Sequence, residues 1–251
     1  MACGLMFAIR GKKSGHDESK GQGTFWRVTI LESPTRLRVC RSIEKLEAQA
    51  SLNAMRLLQE RCSNTSPPPM SSDGGSGCQE AMLEVYGQVP PPKGRGRRPK
   101  NKAAGADWKH LKIIKNPISE TGQRAKPIRK VVFGDPKEVL PLLAKGTVKV
   151  ERTHLTMRLS NARLARKTLG YSKNLKNHKL SAAWEDLFYN FGNTVRTLKI
   201  ELPKTDHNPQ VKRFSPKWLH RSPAMAAGLT DHVWPVKEIL YAISINQHQS
   251  G

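Results

Sequence analysis

The sequence predicts a mixed α/β protein, on three observations. Two β-rich runs, TFWRVTIL (24–31) and RLRVCRSI (36–43), are separated by ESPT, which reads as a hairpin turn. A long run with apolar residues at helical spacing follows them directly. Beyond it, short strand-like runs give way to helical ones, with no internal repeat.

Taken in order, MACGLMFAIR (1–10) is mildly apolar and lacks a charged leader or a convincing cleavage site, so it reads as a strand rather than a signal peptide. In the next run Phe25, Val28 and Ile30 surround Trp26, and burial of both strand faces is expected. EKLEAQASLNAMRLLQER (44–61) repeats Leu46, Ala50, Ala54, Leu57 and Leu58 at helical spacing, giving an amphipathic helix. Three prolines in SNTSPPPMSS end it and weaken any strand there. SDGGSGCQEAMLEVYG then reads as an Asp-Gly-Gly turn opening into a short helix that carries Met82, Leu83 and Tyr86.

From about 87 to 127 the composition shifts. PPPKGRGRRPKNKAAG is basic, rich in Pro and Gly, and too poor in apolar residues to fold alone, so a flexible basic insertion is expected. HLKIIK (110–115) and IRKVVFG (128–134) are further strand candidates. DPKEVLPLLAK (135–145) reads as a short helix with Asp135 as its cap and Pro136 in its first turn. The region 148–192 reads as mainly helical; Asp231 and Pro235 then signal a last helix. The expected division is a core over 1–202 and a C-terminal extension over 203–251.

Lys and Arg number 43 against 20 Asp and Glu, a formal charge of +23. Such an excess opposes compaction and favours a polyanionic partner, nucleic acid first. No apolar run approaches the ~20 residues needed to span a membrane. Cys3, Cys40, Cys62 and Cys78 lack zinc-knuckle spacing and read as small buried hydrophobes. No nucleophile triad, phosphate loop or dinucleotide fingerprint is present. An aromatic content of 6% argues against a stacking platform for single strands.

Glu151 is the carboxylate that stands out, in VERTHLTMRL, amid Arg152, Arg158, Arg163, Arg166, Lys167 and Lys173. On a helical wheel it aligns with Leu155, Leu159 and Ala162, taken as the inward stripe. It is either a first-turn carboxylate favoured by the helix dipole, worth ~0.3–1 kcal/mol, or an inward acid that needs a cation. The matching acid is Asp73 in SSDGGSG, itself either ordinary turn chemistry or a ligand. Two such carboxylates ~4 Å apart repel by roughly 4 kcal/mol at an effective dielectric near 20, a cost a divalent cation removes. Oxygen-only ligation suits Mg²⁺ or Mn²⁺. GRGRRPK, with Arg95, Arg97, Arg98 and Lys100, reads as a phosphate-binding loop or a minor-groove hook. His154, three residues after Glu151, reads as a surface or capping histidine, with contact to the metal site as the alternative.

TFWRVTILESPTRLRVCRSIEKLEAQA, SSDGGSGCQEAMLEVYGQVP, VFGDPKEVL, VERTHLTMRLSNARLARKTLGYSKNLKNH, AAWEDLFYNF and PAMAAGLTDHVWPVKEIL together resemble the catalytic region of bacterial insertion-sequence transposases of the insertion-sequence-one type. The resemblance implies a ribonuclease-H-like mixed sheet flanked by helices, with an Asp, Asp, Glu site in which Asp73 is the second acid and Glu151 the third. It further implies two Mg²⁺ (or Mn²⁺) ions, strand cleavage and strand transfer at transposon ends, and the cations after Glu151 on DNA phosphates. Double-stranded DNA would be the partner, with a homo-oligomer on it, in the nucleoid of a bacterial cytoplasm. One departure bears on activity: the opening run MACGLMFAIR contains no acid where the first Asp belongs, at Ala2 or Cys3. A sheet incomplete at its first strand, a chain truncated at its N-terminus and an inactive copy are therefore expected, and the alternative reading is a non-catalytic DNA-binding remnant that inhibits a full-length transposase.

Overall fold

The computed structural model describes residues 4–10, 25–63, 65–75, 77–91, 101–114, 127–164, 174–202 and 217–248. Strand β1 (Gly4–Arg10) pairs antiparallel with β2 (Trp26–Glu32), which pairs antiparallel with β3 (Arg38–Glu44). Helix α1 (Glu47–Cys62) leads to β4 (Met70–Ser72), parallel to β1, and α2 (Gly77–Tyr86) leads to β5 (His110–Ile114), parallel to β4. Strand β6 (Ile128–Phe133) closes the other edge, antiparallel to β5. The six-stranded sheet is therefore mixed, in the order β3-β2-β1-β4-β5-β6.

The first strand, expected to be incomplete, pairs with β2 along all seven residues and lies inside the sheet. Strand β2 is buried on both faces from Arg27 to Leu31, as expected, although Arg27 and Thr29 on one of them are polar. Helix α1 starts after Leu46, which stands outside it and is exposed, and buries Ala50, Ala54, Met55 and Leu58 against the sheet. The prolines shorten β4 to three residues without displacing it from the centre.

The stretch expected as a flexible insertion is different in its second half. Ala103 bridges to Gln88, Lys102 pairs with Glu84 at 2.9 Å and Trp108 is buried in the core, while β5, the strand read in HLKIIK, lies inside the sheet. Two apolar side chains on alternate positions, Leu111 and Ile113, suffice to bury β5 once neighbours cover it. The basic run 92–100 lies outside the described residues.

Alternation gives the sheet two faces. Val28, Ile30, Cys40 and Met70 pack with α1 and α2 in the main core. On the opposite face Leu111 and Ile113 pack with Val139 and Leu143, in and just after α3 (Pro136–Leu142), and Leu31 packs with Val150 of α4 (Val148–Ser160). Asp135 caps α3, its Oδ1 accepting from the Lys137 N–H at 2.9 Å, with Pro136 following as the sequence required.

Helix α5 (Leu175–Leu187) carries the chain out of this unit, whose contacts end at Lys179; the sequence reading placed the boundary at 202. The second unit, Leu180–Gly251 with Thr35–Leu37, holds a two-stranded ribbon, β7 (Ile200–Glu201) and β8 (Trp218–Leu219), then α6 (Pro223–Ala226) and α7 (Val236–His248). The last helix begins just after Pro235, as read from the sequence. Among the described residues no helix is long and apolar enough to cross a membrane.

Candidate functional site

Asp73 directly follows β4, in the middle of the sheet, and is half-buried. Its Oδ1 accepts the Gly75 N–H at 3.2 Å, a turn contact of the kind Asp-Gly sequences favour. A Cβ at Gly75 would lie 2.7 Å from Glu47 Oε1 and 3.3 Å from Asp73 Oδ1, so a side chain added there would push the end of the Glu47 side chain aside. The same distances reveal a neighbour the sequence did not disclose: Glu47, in the first turn of α1, brings its carboxylate beside Asp73. Nothing in EKLEAQA distinguishes that glutamate from an ordinary helix-opening acid.

Glu151 lies in the first turn of α4 and is half-buried. Its N–H donates to Thr147 O, and its Oε1 accepts from Thr147 Oγ1 at 2.9 Å. The helix-end reading of this residue is thus physically satisfied. Its expected stripe is not the inward one. Leu155 is 45% exposed and Leu159 80%, and Ala162 is also exposed, whereas Val150, Thr153, His154 and Met157 are buried. The inward face keeps i, i+3, i+4, i+7 spacing, but two of its four members are polar, which hid it from an apolar pattern. His154 is accordingly a buried residue, not a surface or capping one.

The strand register relates the two acids through β1. Val150 packs on Leu31, Leu31 is the β1 partner of Leu5, and Leu5 is the partner of Ser71. Glu151 follows Val150, and Asp73 lies two residues beyond Ser71, past the end of β4. Helix α4 packs against β1, the strand between them. Two strand spacings, about 10 Å, separate the lines of Leu31 and Ser71. Among the described residues no three His, Cys, Asp or Glu side chains cluster as metal ligands. Asp73, Glu47 and Glu151 each offer hard carboxylate oxygen, the donor type that Mg²⁺ and Mn²⁺ prefer.

Of the expected phosphate contacts, Arg152 and Arg163 are exposed. Arg158 is half-buried and turns back along its helix, Nε donating to His154 O at 3.2 Å. Arg95, Arg97, Arg98, Lys100, Arg166, Lys167 and Lys173 lie outside the described residues.

Below Asp73, on the α1/α2 face, is a buried polar group. His110 Nε2 lies 2.8 Å from Ser72 Oγ and 3.8 Å from Cys78 Sγ, and Ser72 Oγ is also 3.3 Å from Asp73 O. Burial, with Lys112 adding to it, lowers the His110 pKa to about 4. Burial likewise raises the Cys78 thiol to about 12, so the thiol stays protonated. In the second unit His232 bridges Asp231 at 2.6 Å and Glu238 at 2.9 Å, and these exposed contacts raise its pKa, Asp231 first.

Compared with known proteins, the chain matches no family model and no curated protein sequence.

Proposed function

We propose that this chain is a transposase-like protein with a ribonuclease-H-like core that cleaves and joins DNA strands at transposon ends with a divalent metal. One observation carries the reading: Asp73 directly follows a central parallel strand, and Glu151 opens a helix packed on the neighbouring strand. The three-strand antiparallel meander followed by two helix-connected parallel strands supports it, because that connectivity sets β4 beside β1. The sequence resemblance and the charge of +23 support a DNA partner.

In this reading Asp73 and Glu151 hold Mg²⁺ or Mn²⁺, and a second ion would need the charge of substrate phosphate. The ion, when bound, supplies Lewis acidity to phosphoryl oxygens. Arg152 and Arg163, exposed on and just after α4, bind backbone phosphates and set the duplex in place. Assembly as a homo-oligomer on DNA in the bacterial nucleoid belongs to the same proposal.

The second reading, a non-catalytic DNA-binding remnant, is favoured by the sequence of β1, GLMFAIR, which carries no acid. Mn²⁺-dependent nicking of supercoiled plasmid tests the choice. Nicking abolished by Asp73→Asn and by Glu151→Gln supports the first reading, and nicking that survives both overturns the metal site. Tight duplex binding without nicking by the wild type selects the second.

A further inference from the structure

We infer that His110 is a positioning residue for Asp73, holding through Ser72 the peptide from which that carboxylate projects. The inference rests on the metal-site reading of Asp73 given above.

Three elements meet here. His110 stands beside Met70 in the β4–β5 register, so its ring and the Ser72 side chain share the α1/α2 face. Cys78, in the first turn of α2, closes the third side, and the Phe133 ring lies 6.0 Å away at a tilt of 37°. His110 is fully buried and Ser72 is 1% exposed, so the ring has a fixed setting.

The proton arrangement follows from counting donors. Ser72 has one hydroxyl proton, and its oxygen lies within reach of both His110 Nε2 and the Asp73 carbonyl. His110 Nδ1 is buried with no partner. A bare lone pair in that place costs less than an orphaned N–H, which folded proteins rarely bury. The proton of the neutral ring therefore sits on Nε2 and is donated to Ser72 Oγ. Ser72 in turn donates to Asp73 O. The chain runs His110 Nε2–H to Ser72 O–H to the Asp73 carbonyl.

This chain grips the Asp73 peptide from one face of the sheet. On the other end of the residue, the Gly75 N–H fixes carboxylate oxygen Oδ1. Asp73 is thereby held at both its carbonyl and its side chain. The surrounding face is apolar, with Met70, Met82 and Trp108 in the same core, so a leucine at 110 would suit packing alone. The polar group is retained against that cost because it orients a ligand.

The test is Mn²⁺ binding to the whole 251-residue chain, followed by electron paramagnetic resonance, with thermal unfolding of each variant. Ser72→Ala and His110→Leu should weaken Mn²⁺ about tenfold, the usual scale for loss of a ligand's supporting hydrogen bond. His110→Gln, which places an amide N–H within reach of Ser72, should restore most of the affinity; a merely space-filling role would not discriminate Gln from Leu in this way. Unchanged Mn²⁺ affinity in folded His110→Leu and Ser72→Ala overturns the inference, while Asp73→Asn still abolishes binding. Wild-type Mn²⁺ binding indifferent to Asp73→Asn overturns the site itself, and the inference with it.

Discussion

On the α1/α2 side of the sheet, Val28, Ile30 and Met70 meet Ala50, Ala54, Met55 and Met82 in one continuous apolar core. On the α3/α4 side, Arg27, Thr29 and Ser71 are buried among Leu31, Leu111 and Ile113, and the apolar contacts divide into two smaller clusters. Thr29 Oγ1 and Ser71 Oγ are buried there without a hydrogen-bond partner. Each such hydroxyl costs about 1–3 kcal/mol. One face therefore supplies cohesion, and the other gives some of it up where Asp73 and Glu151 approach the same strand. The polar group at His110 is the exception on the cohesive face, and it sits directly beneath Asp73.

The largest effect expected is on the cohesive face. Ile30→Ala should destabilise by about 2–5 kcal/mol in urea unfolding, because a fully buried side chain leaves a cavity that rigid neighbours cannot fill. A loss below 1 kcal/mol would erase the contrast between the faces. Next comes pH. His110 stays neutral in the fold down to about 4, whereas the unfolded chain takes up that proton near 6.5. Between these values the unfolded state binds more protons, so this residue's contribution is complete above 6.5 and is lost as pH falls. The total is about 3 kcal/mol. Stability curves from pH 7 to 4 should flatten in His110→Gln.

Smaller effects sharpen the polar side. Asp135→Ala should cost α3 about 1 kcal/mol by removing its cap, read as a fall in melting temperature. Thr29→Val should be neutral or stabilising by about 1 kcal/mol, since it replaces an unpartnered hydroxyl by a methyl of similar size. A loss above that size would show that the hydroxyl is used. Smallest, Arg152→Ala with Arg163→Ala should leave melting unchanged yet lower the salt slope of duplex binding, by roughly 0.9 for each phosphate contact removed.

Much of the architecture was legible where local chemistry decides. Apolar residues on both sides of Trp26 marked a strand buried on two faces, and the Asp135-Pro136 and Pro235 signals located two helix starts. Long-range decisions were not legible. HLKIIK was legible as a strand, but the interior place of β5 was not, because its burial depends on α3, and the inward face of α4 was misplaced because Thr153 and His154 read as polar. The acids Asp73 and Glu151 could be found from a glycine turn and a helix start. The nearness of Glu47 to Asp73, and of His110 to Ser72, follows from which strands and helices lie side by side. No spacing in one chain segment encodes that.

The shortness of β4 has a consequence for access. It ends at Ser72, level with Met6, while β1 runs on to Arg10 paired only with β2, and β5 runs on to Ile114 paired with β6. Above the third rung the sheet therefore parts, and Asp73 stands at the floor of the gap. Among the described residues no strand pairs with the gap side of β1 there, at the carboxyl end of three parallel strands, where α/β sheets admit their ligands.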